Sequence, residues 1–212
     1  PVRKNVLELL SLAATYLDKK AVASARREAD ALLGHVLGCD RLHLYLRFEE
    51  LPGDAEVDAF RALMLRRGER EPLQYLLGRV RFLDLDLSVD QRVLIPRPET
   101  EGLAKRLRGA LSDGARVADI GTGSGCLALS LAKAGAQVVA TDLSQAALDL
   151  AAENAAALGV QASVCFKQGD ALEALNGEAV FDLVVSNPPY IDRADEQSLS
   201  PEVARWEAAL AL

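Results

Sequence analysis

Two consecutive prolines, Pro188 and Pro189, stand directly behind the apolar run Leu183-Val184-Val185 and Ser186. Such a run reads as a strand buried on both faces. A proline has no N–H to give a ladder, so the strand must end there. Pro188 also pushes Asn187 out of the helical region. The result is a stiff loop, Asn187-Pro188-Pro189-Tyr190, at the carboxyl end of a buried strand, the edge where open α/β sheets bind ligands. Asn187 offers an acceptor oxygen beside two donors, and Pro188 an acceptor carbonyl only. Two adjacent acceptors suit a planar NH2 group, and Tyr190 can cover its flat face. The lone pair of a planar nitrogen is delocalised, so holding it in line with a reactive electrophile is most of the catalytic task. Taken alone, the tetrapeptide is equally an Asn-Pro turn with a surface tyrosine, and the rest of the chain has to decide.

The segment upstream alternates strand and helix. Arg116 to Ile120 predicts a short strand that runs into Gly121-Thr122-Gly123-Ser124-Gly125 and then a helix from Cys126 to Ala134. Strand, glycine turn, helix is the context that gives a glycine motif meaning, because glycine lets a ligand approach the backbone closely. The spacing is G-x-G-x-G, whereas a dinucleotide fingerprint has its third glycine one residue later. The P-loop pattern is absent as well. This favours a nucleoside ligand without a pyrophosphate, such as S-adenosylmethionine, over NAD. A second strand, 137 to 140, ends at Thr141-Asp142, where an acid can accept both ribose hydroxyls. The plainer role for Asp142 is to cap a helix from Leu143. An alanine-rich helix over 144–158 ends at Gly159. A third strand, 162 to 167, ends at Gly169-Asp170, which sets Asp170 and Ala171 beside an adenine ring. The fourth strand delivers the proline loop. The alternation predicts a parallel, doubly wound sheet.

Residues 1 to about 78 have a different texture. Val6, Leu9, Leu10, Ala13, Ala14 and Leu17 follow helical spacing, and further helical stretches cover 24–38 and 41–51. Asp54 can cap a fourth, carrying Val57, Phe60, Leu63 and Met64. These stripes read as the core of a small helical bundle. From Gly78 to Ile95 the pattern alternates, predicting a hairpin with Asp90-Gln91 near its turn that links two domains, 1–78 and 97–212, across 79–96. In Pro96-Arg97-Pro98-Glu99-Thr100-Glu101, Pro98 and the two acids suit the opening turn of a helix to about Leu111.

Charge and cysteine content narrow the function classes. The net charge of −7 over 212 residues argues against a broad grip on phosphate backbones, so no direct nucleic-acid partner is expected. No apolar run is long enough to span a membrane. Cys39, Cys126 and Cys165 are odd in number and widely spaced, which reads as reduced thiols of a cytoplasmic protein with neither disulfides nor a metal site. His35 and His43 read as structural or surface residues.

With the glycine turn, the ribose acid and the proline loop in register, the sequence resembles the class I S-adenosylmethionine-dependent methyltransferases. More narrowly it is similar to the HemK/PrmC family of peptide chain release factor glutamine N5-methyltransferases. The likeness is carried by Arg70 to Gly78 (REPLQYLLG), Val93 to Glu101 (VLIPRPETE), Asp119 to Leu131 (DIGTGSGCLALSL), Ala140 to Leu143 and Ser186 to Ile191. The resemblance implies a Rossmann-like methyltransferase sheet behind an all-α bundle and a β-hairpin. It implies methylation of the glutamine of a class I release factor's Gly-Gly-Gln loop, the factor being recognised by the bundle. Asn187 and the Pro188 carbonyl would hold the glutamine amide, with Pro189 beside them and Tyr190 packed on it. Gly121, Thr122, Gly123, Ser124 and Gly125 would meet the cofactor's methionine end, Asp142 the ribose, and Asp170 with Ala171 the adenine; Asn187 would border cofactor as well as substrate.

The family pairs a Glu with a Pro some fifteen residues beyond the proline loop; here Glu207 precedes Ala208. A class I sheet has seven strands and this chain supplies four, so roughly 60 further residues are expected in a longer protein, and the fourth strand is expected as an exposed apolar edge. A glutamine of a ribosomal protein is an alternative substrate. The proline loop is shared with adenine-N6 methyltransferases of nucleic acids, which the acidic balance disfavours. A chain that binds cofactor or partner without turnover is a third class.

Overall fold

The computed structural model describes residues 3–188 and 200–207. Contacts divide them into two units. The first takes the described residues to Leu77 together with Ser200–Trp206, and the second begins at Gly78 and includes Glu207.

The first unit is helical: α1 Val6–Lys19, α2 Ala25–Val36, α3 Arg41–Leu46, α4 Asp54–Gly68 and α5 Leu73–Leu77. Helix α1 begins with a capping box. The Glu8 amide donates to Asn5 Oδ1 and the Asn5 amide to Glu8 Oε2, both at 2.9 Å. Its stripe Val6, Leu10, Ala13 and Leu17 is buried against Ala29, Leu32, Leu33, Leu44 and Phe60. Helix α3 is shorter than its apolar pattern suggests, and the reason lies at α1. The carbonyls of Phe48 and Glu50 turn away from a helical ladder to accept the Leu7 and Val6 amides, at 3.2 and 3.0 Å. Those amides belong to a first turn with no partner of its own. The expected Asp54 cap is also corrected. Gly53 is the N-cap, and Glu56 reaches back to its amide at 2.6 Å.

A short helix, Pro201–Trp206 (α9 in chain order), joins this unit through Glu202. Glu202 accepts from Arg67 Nη2 at 3.1 Å and Arg70 Nη2 at 2.8 Å, while Arg67 also pairs with Glu28. Arg67 is buried. Burial disfavours its charge, and bonds to two carboxylates more than offset that cost, so its pKa rises.

The second unit opens with the hairpin β1 Arg79–Phe82 and β2 Leu85–Ser88, followed by α6 Pro98–Ala110. Its turn is Leu83-Asp84, with Phe82 paired to Leu85, so the expected turn near Asp90-Gln91 is wrong. Leu83 takes a left-handed φ of 53°. Its amide is held by Glu101 Oε1 at 3.2 Å, and Asp84 is held by Arg108 and Lys133. Side-chain partners thus hold a turn that no glycine marks. The hairpin is expected as a linker, yet Phe82, Leu85 and Leu87 lie in the same core as Val117, Leu129 and Val138.

The remaining elements are β3 Arg116–Ile120, α7 Cys126–Lys133, β4 Gln137–Asp142, α8 Gln145–Leu158, β5 Val164–Gln168 and β6 Leu183–Ser186, with 3-10 turns at Gln161–Ser163 and Ala171–Leu175. The four strands form a parallel sheet in the order β5-β4-β3-β6, as the alternation predicts. Strand β6 is not buried on both faces as expected. Among the described residues it lies at the edge of the sheet; Val185 is buried while Val184 is 50% exposed.

Buried Asn154 of α8 fastens the hairpin to the glycine turn. Its Oδ1 accepts the Ser88 amide at 2.7 Å, and its Nδ2 donates to the carbonyls of Ser88 at 3.1 Å and Ser124 at 3.0 Å. Truncation takes the partner from three backbone groups, the Ser124 carbonyl in a buried contact and the Ser88 amide and carbonyl in partly buried ones. We predict that Asn154→Ala lowers unfolding free energy by about 3 kcal/mol, read from denaturant midpoints. A loss below about 1 kcal/mol would mean that water replaces the amide at little cost.

Candidate active site

Register gathers the site. Ile120 pairs with Thr141 on one side and Ser186 on the other, and Asp142 pairs with Gln168. The carboxyl ends of all four strands therefore share one edge. A cavity of about 280 Å³ opens there, lined among others by Gly121, Thr122, Gly123, Ser124, Asp142, Asp170, Ala171, Asn187 and Pro188.

The glycine turn is held from both sides. The Gly121 and Thr122 amides donate to the Thr141 carbonyl at 2.9 and 2.8 Å. Gly121 and Gly123 have φ of 71° and 54°, and a Cβ at either would meet nothing within 4 Å. The backbone there is bare and open, as a closely approaching ligand requires. Gly125 differs. It does not line the cavity, and a Cβ on it would press on Leu129 and Ala151 at 3.1–3.2 Å. Its glycine serves the packing of α7 on α8. Thr122 is buried, and its hydroxyl donates to Asp119 Oδ2 at 2.7 Å.

Asp142 lies at the tip of β4. Its Oδ2 accepts the Gly123 amide and its Oδ1 the Ser144 amide, each at 2.9 Å. A carboxylate has about four acceptor positions, so each oxygen keeps room for a ligand hydroxyl. It does not cap α8: Ser144 does, accepting the Ala147 amide on Oγ at 3.2 Å. Asp170 is exposed, and Ala171 after it takes a left-handed φ of 41°. The Gly169 amide donates to the Asp142 carbonyl at 3.1 Å, tying this turn to β4.

At the fourth tip, Ser186 Oγ donates to the Ile120 carbonyl at 2.8 Å, and Asn187 Nδ2 donates to Thr100 Oγ1 at 3.3 Å. Pro189 and Tyr190 lie outside the described residues. Cys126 opens α7, where a helix N-terminus favours a thiolate. Burial outweighs that and pushes the thiol up to about 12, so it stays protonated and offers no nucleophile. Among the described residues no cluster of three or more His, Cys, Asp or Glu could hold a metal, and no helix is long and apolar enough to cross a membrane.

Asp119 carries a role that motif reading misses. It is buried in β3 and accepts from Thr122 Oγ1 and from the Ala128 amide at 3.1 Å. It thereby clamps the glycine turn to the start of α7. The available signal was one charge inside Val-Ala-Asp-Ile. Burial is the chief cause that raises its carboxyl from 3.8 to about 6. The folded state therefore binds the extra proton between those values, and this group's contribution falls as pH rises from about 4 to about 6, by about 3 kcal/mol. We predict that the stability difference between wild type and Asp119→Asn moves by about that amount in the variant's favour from pH 4 to pH 7, measured by urea unfolding at both. A difference independent of pH would contradict the assignment.

Residues 8–78 match the PrmC N-terminal domain family and residues 99–204 the methyltransferase small domain family. A release factor glutamine methyltransferase of Chlorobaculum tepidum is 44% identical over 98% of this chain and 75% of its own length. One from Geobacter sulfurreducens is 44% identical over 98% and 73%. The chain thus spans about three quarters of these relatives. Among solved structures it is similar to the T. thermophilus 16S rRNA N2 G1207 methyltransferase, with 28% identity over 53% of this chain and 32% of that one and a TM-score of 0.46. A parallel sheet with an open glycine turn at one strand tip and Asn-Pro at another, in a chain matched at this identity over nearly its whole length, belongs to the release factor glutamine methyltransferase family.

Proposed function

We infer that the chain methylates the side-chain nitrogen of a glutamine in the Gly-Gly-Gln loop of class I release factors, with S-adenosylmethionine as donor. The observation that carries this reading is one shared edge. The open glycines Gly121 and Gly123, the acid Asp142 and the tip that carries Asn187 and Pro188 all line one cavity. The bare backbone at Gly121 and Gly123 fits the methionine end of the donor. Asp142 fits the ribose hydroxyls, and the turn of Asp170 and Ala171 fits the adenine face.

When bound, S-adenosylmethionine supplies a methyl on a positively charged sulfur, which an amide nitrogen can take with loss of one N–H proton to water. The protein's own work is to present that nitrogen. Asn187 Oδ1 and the Pro188 carbonyl each accept one N–H of the glutamine amide, which turns the nitrogen in one direction. No base need touch the nitrogen, because its proton becomes acidic only as the new bond forms. The helical unit recognises the release factor. Such a substrate puts the reaction in the cytoplasm.

The test is mass spectrometry of a release factor after incubation with the chain and S-adenosylmethionine, which should show one added methyl on the Gly-Gly-Gln glutamine. Asn187→Ala should reduce transfer at least a hundredfold and leave S-adenosylhomocysteine affinity, by calorimetry, within about tenfold. A hydrogen bond to substrate contributes about 1–3 kcal/mol to binding, but its loss misplaces the nucleophile. Equal loss of cofactor binding would count against the role given to Asn187.

A further inference from the structure

The stretch from Ile95 to Thr100 does more than start a helix. Ile95, Pro96, Arg97 and Thr100 all line the cavity. Prolines on both sides of Arg97 fix the local backbone. Glu207, its side chain 1% exposed, accepts from Arg97 Nη2 at 2.8 Å and from the Ile95 amide at 3.4 Å. The Thr100 amide donates to the Arg97 carbonyl at 3.1 Å. Thr100 thus projects from a backbone held by two prolines and a partly buried ion pair. Its side chain is buried, whereas Asn187, whose Nδ2 it accepts, is exposed.

That contact bears on a weakness of asparagine as a catalytic acceptor. An exposed amide can rotate by half a turn, exchanging its oxygen and its NH2 at small steric cost. Only the oxygen can receive a substrate NH2; the flipped amide would set donor against donor. A hydroxyl fixes where the amide lies, and with Nδ2 engaged on it Oδ1 is left as the free acceptor. We propose that Thr100 is a positioning residue for methyl transfer, its buried hydroxyl holding Asn187 with Oδ1 toward the substrate amide. The proposal rests on the reading of Asn187 given above.

The test compares wild type, Thr100→Val, Thr100→Ser, Asn187→Ala and the Thr100→Val/Asn187→Ala double variant, with turnover on a release factor by mass spectrometry and S-adenosylhomocysteine binding by calorimetry. Thr100→Val, which keeps shape and removes the hydroxyl, should lower kcat by about 10- to 100-fold, since small misplacements of reacting groups cost that much, with cofactor affinity within about threefold. Thr100→Ser should restore kcat to within about threefold of wild type. The double variant should be no slower than Asn187→Ala, because the hydroxyl acts only through that amide. Full turnover by Thr100→Val beside a dead Asn187→Ala overturns the role of Thr100 and leaves that of Asn187. Full turnover by Asn187→Ala overturns the reading of Asn187 itself. A further loss in the double variant marks Thr100 as merely structural. Independently of turnover and of how the valine variant folds, NMR of the Asn187 side-chain NH2 should show one shifted, exchange-protected proton in wild type and in Thr100→Ser. Its absence from wild type also overturns the proposal.

Discussion

Strand β3 is hydrogen-bonded on both sides, to β4 and to β6, and all three run parallel. Parallel pairing puts equivalent ends at one edge, so a residue just beyond any of these strands faces the same space. The glycine turn follows β3, Asp142 ends β4, and Asn187 follows β6. These residues are 19 to 66 positions apart along the chain, and only the ladder brings them together. β3 is buried on both faces, so a slip of one residue would send each of its side chains to the opposite face and carry Asp119 away from the turn it holds.

The second unit places charge where burial alone would forbid it, and in each case a backbone group needs an acceptor. Asp119 remains in the core because Thr122 and the Ala128 amide would otherwise lack one. Desolvation still outweighs those bonds, and its carboxyl is held above the usual range. Glu207 has the same balance: burial raises it, and Arg97 and the Ile95 amide pull it back. Both acids stabilise loops that line the cavity. Charge is kept in the core where a loop has to be fixed, even though an apolar residue would cost less to bury.

The four parallel strands, the glycine turn and the acid at the tip of β4 were legible because each leaves a local trace. Apolar runs mark strands, left-handed glycines mark the turn, and Asp142 stands where an apolar run stops. The hairpin turn was misread because alternation alone does not fix register. Leu83 is no ordinary turn former, and Glu101, Arg108 and Lys133 hold the turn from positions that the local pattern does not relate. The length of α3 was misread for a similar reason, since the carbonyls of Phe48 and Glu50 just beyond it serve α1.

By itself the sequence determined the strand order along the chain, the need for a ligand-facing glycine turn and the stop at Pro188, because steric limits on glycine and proline act within a few residues. Tertiary structure alone decided which of those glycines faces the cavity and which serves packing, and that Asn154 joins hairpin to turn. It also decided that Thr100 meets Asn187 across 87 residues of chain. Such contacts depend on where the sheet and helices set distant side chains, and no local preference encodes that distance.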